Sequence, residues 1–180
     1  MHNELMNKKD IERALMRIAH EIIEKNRGIE NLCLVGIQRG GVYLAKRLAS
    51  KIKLIEKKDI PVGSLDIAFY RDDLNIRKGQ PTVRKTEVPF EITDLKVVLI
   101  DDVLFTGRSI RAAMDALFDI GRPAAIQLAV LIDRGHRELP IKADYVGKNV
   151  PTALIENIEV EFEEEGLEDR VILEKPEKGE

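Results

Sequence analysis

Residues Val97 to Ser109 read Val-Val-Leu-Ile-Asp-Asp-Val-Leu-Phe-Thr-Gly-Arg-Ser. Val97 to Ile100 is a short apolar run bounded by polar signals, the pattern of a strand buried on both faces. Two carboxylates, Asp101 and Asp102, follow it. Thr106, Gly107, Arg108 and Ser109 come next, and after them a helical pattern begins. A buried strand, a small-residue loop and a helix start together make an anion cradle: loop N–H groups converge and the helix N-terminus adds partial positive charge. Thr106 and Ser109 bring hydroxyl donors, and Gly107 lets the backbone come close. The acidic pair sits at the carboxyl end of the strand, where ligands of open α/β sheets bind. Acceptor-only groups there suit sugar hydroxyls or hydrated magnesium. An Asp pair alone commonly does no more than turn a chain into a helix. Here apolar run, acidic pair and Thr-Gly loop fall in register, and that combination points to a phosphate-bearing ligand.

The rest of the chain repeats the strand-to-helix alternation. Asp10 is placed to cap a helix from Ile11 to about Arg27, with Gly28 as its stop. Ile11, Leu15, Ile18 and Ile22 form its apolar stripe, and Arg13, Arg17, His20 and Glu24 lie opposite. Leu32 to Ile37 reads as a strand and Val42 to Ile52 as a helix, with Gln38-Arg39-Gly40-Gly41 as the turn between them. Val62 to Tyr70 alternates like a strand. A polar segment with Gly and Pro, about 71–88, contains Arg77, Lys78, Arg84 and Lys85 and reads as a flexible flap. Ile110, Ala113, Leu117 and Ile120 face the sheet from a helix ended by Gly121, Ala125 to Ile132 is another apolar strand, and Ile158 to Phe162 a short edge strand. The run Glu163–Glu165 reads as a solvated acidic end. The expected fold is a single α/β domain over 1–180, a mostly parallel central sheet with helices on both faces.

Composition narrows the function. Hydrophobic residues make up 44% of the 180, and no apolar run approaches a membrane span. The N-terminus lacks a signal-peptide core, so a cytoplasmic location is the default. Cys33 is the single cysteine, and in an apolar strand it reads as a buried structural thiol. The net charge of −3 excludes a global basic field, so any nucleic-acid site has to be a local patch.

The stretch Val97–Ser109 closely resembles the phosphoribosyl-diphosphate (PRPP) motif of type I phosphoribosyltransferases. The resemblance implies that Asp101 and Asp102 face the ribose hydroxyls and the magnesium shell, through water, that Thr106, Gly107, Arg108 and Ser109 hold the 5′-phosphate, and that Val103, Leu104 and Phe105 belong to the same substrate-binding stretch. Arg39, Gly40 and Gly41 resemble the diphosphate loop, with one departure: close relatives carry Arg where this chain has Gly40. Arg39 then fills the role from a shifted position, or the backbone does most of it. Three further runs, Arg13-Ala-Leu-Met-Arg-Ile-Ala-His20, Tyr70-Arg-Asp-Asp73 and Asp133 to Asn149, are similar to the bifunctional regulators of pyrimidine operons that are also uracil phosphoribosyltransferases. The likeness covers roughly Asp10 to Thr152.

That family implies two activities. One converts uracil and PRPP to UMP and diphosphate with Mg2+. In the other, with UMP or UTP bound, the protein grips a hairpin of the operon's leader mRNA and favours termination. By the same resemblance, a small hood, mainly 133–162 with the N-terminal segment, covers the base, with Arg134 and Val150 in contact with substrate. Arg84 of the flap meets the diphosphate as charge develops. Arg13, Arg17, His20, Arg137, Lys142 and Lys148 form the RNA-binding patch, which a homodimer or higher homo-oligomer would double. Two alternatives stand beside this reading: a purine-salvage enzyme for hypoxanthine or guanine, and a non-catalytic RNA-binding sensor of nucleotides.

Overall fold

Leu34, Val98, Ile100, Ala129 and Leu131 point to one side of a sheet; Cys33, Val35, Val97, Leu99, Leu128 and Val130 point to the other. Successive strand residues face opposite ways, so uninterrupted apolar runs demand cover on both faces. A computed structural model describes residues 2–71 and 86–176 and supplies that cover. β1 (His2–Met6), α1 (Lys8–Asn26), β2 (Leu32–Ile37), α2 (Gly40–Glu56), β3 (Val62–Leu65), β4 (Lys96–Leu104), α3 (Arg108–Ile120), β5 (Ala125–Asp133), β6 (Tyr145–Asn149), β7 (Asn157–Glu161) and β8 (Arg170–Glu174) follow in chain order. Five strands form a parallel sheet in the order β3-β2-β4-β5-β6. The apolar stripes of α1 and α2 belong to the core on one face, and α3 with Ile110, Ala113 and Leu117 to the core on the other. The expected architecture is present, and β4 holds the sheet's centre.

Several boundaries differ from the sequence reading, each for a local reason. Asn7, not Asp10, caps α1: the Asn7 side chain accepts from the Asp10 N–H, and the Asp10 carboxylate accepts from the Asn7 N–H. The strand expected over Val62–Tyr70 stops at Leu65. Asp66 Oδ1 accepts from the Ala68 N–H, and a 3-10 turn follows over Ala68–Tyr70. β4 continues through the acidic pair to Leu104.

The largest difference is at the chain ends. β1, β8 and β7 form a second, antiparallel sheet with β8 in its middle. The acidic run after Phe162 is exposed as expected, but it is a turn between β7 and β8 and not an end. Glu163 meets Lys8 at 2.5 Å, and Arg47 binds both Glu164 (2.5 Å) and Asp169 (2.8 Å). β7 sits near β4, so this small sheet stands over the carboxyl end of the central one.

The flap residues Arg77, Lys78, Arg84 and Lys85 lie outside the described residues. Both stems of the flap are tied down. Before it, the Tyr70 hydroxyl donates to Asp119 at 2.7 Å. After it, Glu87 exchanges two backbone hydrogen bonds of 2.8 Å with Ser64.

Candidate active site

Two adjoining hollows open at the carboxyl end of β4. The first, about 480 Å³, is lined by Arg39 and Gly40, by Asp101 and Asp102, and by Val160, Phe162 and Glu165 of the terminal sheet and its edge. The second, about 410 Å³, is lined by the run Val103–Ile110 with Glu138. Arg71, Asp101, Val103 and Ser109 border both. The site thus has two pockets sharing an acidic wall, a shape that suits a sugar carrying an anionic group at each end.

The second pocket is a backbone cradle. Gly107 sits at φ 92° and gives α3 no side-chain cap of its own, while the Arg108 N–H donates to Thr106 Oγ1 at 3.3 Å; the helix starts at the hollow. Its floor is fixed from below: the Thr106 carbonyl accepts from Glu138 and Leu139, and Leu139 and Ile141 pack beneath Gly107. Thr106 and Ser109 line the hollow, as their hydroxyls require. Arg108 turns outward to Glu138 at 3.0 Å.

The first pocket depends on how closely α2 seats against β4. A Cβ on Gly41 would lie 2.2 Å from the Ile100 carbonyl oxygen. One on Gly40 would lie 2.5 Å from Asp102 Oδ2 and 2.9 Å from the Phe162 ring. Backbone blocks a side chain at Gly41, and at Gly40 one would have to displace Asp102 and Phe162; Arg39, next to them, is the cation of this loop that lines the pocket.

The carboxylates are held by their own backbone. Asp101 Oδ1 accepts from the Asp102 N–H at 2.9 Å, and Asp102 Oδ1 from the Val103 N–H at 2.8 Å. Burial, and then the charge of Asp102, push the Asp101 carboxyl well above the usual carboxylate range. Arg71 pulls the other way. A cation arriving with the ligand would release that strain. Among the described residues no three His, Cys, Asp or Glu side chains gather into a metal cage. Two hard oxygen donors fit a magnesium ion that keeps water and ligand phosphate oxygens as its other partners. Cys33 is a bystander: burial pushes its thiol up to about 12, so it stays neutral.

The expected base and RNA residues are distributed differently. Arg134 is buried, its guanidinium stacked 4.0 Å from the Phe105 ring and bonded to Thr152 Oγ1, Ala153 O and Glu156 O. It ties down the 152–156 loop; it lies outside these two pockets and lines a third hollow, about 400 Å³, with Asp133, His136, Arg137 and Thr152. The Val150 N–H is spent on the Asp133 carbonyl. Arg137 is likewise committed, to Asp133 at 2.6 Å, Phe105 O at 2.7 Å and Ile141 O at 2.9 Å. It braces the phosphate loop and does not join the face of α1.

Arg13, Arg17 and Lys148 do come together. With Met6, Asp10, Ala14 and Gly147 they line a hollow of about 460 Å³ between α1 and the end of β6. Arg17 also donates to Val146 O and Gly147 O, satisfying the outer edge of β6, and Lys148 donates to Leu5 O. His20 and Lys142 are exposed and lie outside this hollow.

Sequence reasoning missed Arg71, Val160, Phe162 and Glu165 as pocket residues. Arg71 was within reach, because Tyr70-Arg-Asp-Asp was already a motif of interest. The other three come from the terminal sheet, whose docking no local pattern announces.

Residues 1–165 match the phosphoribosyl transferase domain family. The chain is 60% identical over 172 residues to the bifunctional protein PyrR of Caldicellulosiruptor bescii, covering 96% of this chain and 94% of that protein. It is 58% identical over 163 residues to the bifunctional protein PyrR of Bacillus cereus, with 89% and 91% covered. Among solved structures, the hypoxanthine phosphoribosyltransferase of Trypanosoma cruzi superimposes with a TM-score of 0.72 over 97% of each chain at 19% identity. A hypoxanthine-guanine phosphoribosyltransferase of Bacillus anthracis gives 0.67, with 83% and 84% covered, also at 19%. At that identity the two structures speak for the fold alone. Two adjoining hollows sharing an acidic wall, a family match over residues 1–165 and some 60% identity to several of its curated members place the chain in the phosphoribosyl transferase family, among the PyrR proteins.

Proposed function

We propose that this chain transfers the phosphoribosyl group of PRPP to uracil, and that with a uridine nucleotide bound it grips a hairpin of a pyrimidine operon's leader mRNA and favours termination. The observation that carries the reading is the pair of hollows meeting at Asp101, together with the identity to PyrR proteins. PRPP has a 5′-phosphate at one end of its ribose and a diphosphate at the other. The Thr106–Ser109 cradle takes the first and the Arg39–Gly41 loop takes the second. Asp101 and Asp102, between them, accept from the ribose hydroxyls.

The C1′–O bond breaks and its electron pair leaves with diphosphate, while a ring nitrogen of uracil forms the new C1′–N bond and gives up its proton. Positive charge grows on the ribose beside the acidic pair, and negative charge grows on the diphosphate beside Arg39, so the pocket favours both. Asp101 and Asp102 would hold a magnesium ion arriving with PRPP, and that ion would supply positive charge to the leaving diphosphate. Arg84 is the flap cation assigned to that same moment. The step needs no protein nucleophile.

For RNA, the hollow lined by Arg13, Arg17 and Lys148 offers cations to phosphates on a chain of net charge −3. A homodimer would join two such faces, and the whole acts in the cytoplasm. No helix among the described residues is long and apolar enough to cross a membrane. The purine-salvage alternative has shape alone behind it. A transferase assay with uracil, guanine and hypoxanthine, run beside leader-RNA filter binding, tests both halves. Uracil turnover and uridine-nucleotide-dependent RNA retention are expected. Preference for a purine removes the first half, and RNA binding indifferent to UMP removes the second.

A further inference from the structure

Arg39, Tyr43 and Arg47 are four residues apart and lie on one face of α2. All three meet the segment that follows β7. Arg47 binds Glu164 and Asp169, Tyr43 packs edge-on against Phe162 at 5.3 Å, and Arg39 faces Glu165. The first two contacts are structural: they clamp the terminal sheet to α2. The third lies in the first pocket. Glu165 Oε1 is 3.6 Å from Arg39 Nη1 and accepts from the Tyr43 hydroxyl at 3.4 Å. Both Glu165 and Arg39 line the hollow assigned to diphosphate.

A carboxylate is an odd choice for the wall of an anion pocket. It gives Arg39 a partner when no ligand is bound, and it repels the ligand Arg39 is there to hold. Glu163 and Glu164 do neither, because Lys8 and Arg47 already neutralise them away from the pocket.

We propose that Glu165 sets the affinity of the site for diphosphate-bearing ligands by competing with them for Arg39. This rests on the reading of Gln38–Gly41 as the diphosphate loop. The competition acts equally on PRPP and on product diphosphate. An enzyme that bound both more tightly would release product more slowly, so a weak internal competitor suits turnover. The Arg39 side chain is more than half exposed, so the pair belongs with ion pairs of modest strength.

The experiment uses the full chain with magnesium, steady-state kinetics in PRPP and uracil, and calorimetry with inorganic diphosphate. Glu165→Gln should lower the PRPP KM and the diphosphate Kd by about two- to fivefold, the range such pairs span. The uracil KM and the Tm should stay as in the parent. Glu163→Gln serves as the control for general charge and should change none of these. A PRPP KM that is unchanged or raised in Glu165→Gln overturns the proposal, and so does an equal fall in Glu163→Gln. Arg39→Gln separates the levels of failure. If it raises the PRPP KM while Glu165→Gln does nothing, the loop reading survives and the competition falls. If Arg39→Gln leaves the PRPP KM unaltered, both are overturned.

Discussion

At the scale of single residues, Asp101 shows how a site can cost stability. Its carboxyl holds a proton more tightly folded than unfolded, because burial and the neighbouring Asp102 both oppose its charge. Folding therefore takes up a proton, and stability falls as pH rises from the ordinary carboxylate range toward that raised value. Asn at this position has no charge to suppress. Asp101→Asn should melt higher than the parent at pH 7 and show no such advantage at a pH below about 3.9, where the unfolded chain is protonated too. The same variant should lose about tenfold or more of its transferase rate at limiting PRPP, as expected on removing a charge-assisted hydrogen bond. Calorimetric scans across pH beside the assay check both. An activity equal to the parent's would remove Asp101 from the site. The motif residues were readable in advance because their chemistry is local: Thr106, Gly107 and Ser109 need only be adjacent to work.

At the scale of elements, α2 is held at its N-terminus by β4 and at its middle by the segment after β7. Its N-terminus touches β4 through Gly41, where an added methyl would meet the Ile100 carbonyl at 2.2 Å. Backbone lies on both sides of that contact, so the strain has no flexible side chain to absorb it. Gly41→Ala should cost about 1–3 kcal/mol in chemical denaturation and raise the PRPP KM together with it. A neutral outcome would mean that α2 slides freely on the sheet. Further along, Arg47 neutralises Glu164 and the buried Asp169. Burial alone would raise the Asp169 carboxyl, but the Arg47 guanidinium more than offsets it and holds it below its usual value. That stabilisation is present above the ordinary Asp range and is lost as pH falls through the lowered value. Arg47→Ala leaves the Asp169 carboxylate without its guanidinium partner and should destabilise the chain by about 3 kcal/mol or more. The loss should shrink in acid, where Asp169 is protonated in either chain. Urea titrations at neutral and acidic pH would expose a loss that stays constant.

At the scale of the whole molecule, a net charge of −3 has to coexist with an RNA face. Arg13 and Lys148 stand on one hollow, and each should contribute a phosphate contact. Arg13→Gln and Lys148→Gln should each weaken leader-hairpin binding and flatten its salt dependence by about 0.7–0.9 in log–log slope, while uracil transfer stays near normal. Filter binding across a salt series decides it, and parallel lines for variant and parent would make this face a solvated surface. Arg17→Gln, and to a lesser degree Lys148→Gln, also lose backbone contacts, because Arg17 caps the outer edge of β6 and Lys148 donates to Leu5 O, so Arg13→Gln is the cleanest of the three. Arg137→Gln should impair the enzyme as well, since Arg137 ties Phe105 to Asp133 and Ile141.

Most of the central sheet, and the grouping of the Thr106–Ser109 loop with the acidic pair at one end of β4, were legible in the chain by itself. Each is written in contiguous residues: uninterrupted apolar runs in β2, β4 and β5, and loop chemistry directly after β4. The helix periodicity of α1 also separated its buried stripe from Arg13 and Arg17. What the tertiary structure alone decided is everything that needs two distant segments. β1 is five residues long and mostly exposed, and β8, although Val171, Ile172 and Leu173 are buried, follows an acidic run; what they pair with is decided across the chain. Arg134 and Arg137 look like exposed cations in a polar run, and only the approach of the 152–156 loop and Phe105 turns them into struts. Glu165 reads as one of three equivalent acids until α2 arrives beside it and places Arg39 across from that one alone. Burial and partner choice are properties of packing, and packing between residues a hundred positions apart leaves no mark on the local pattern of either.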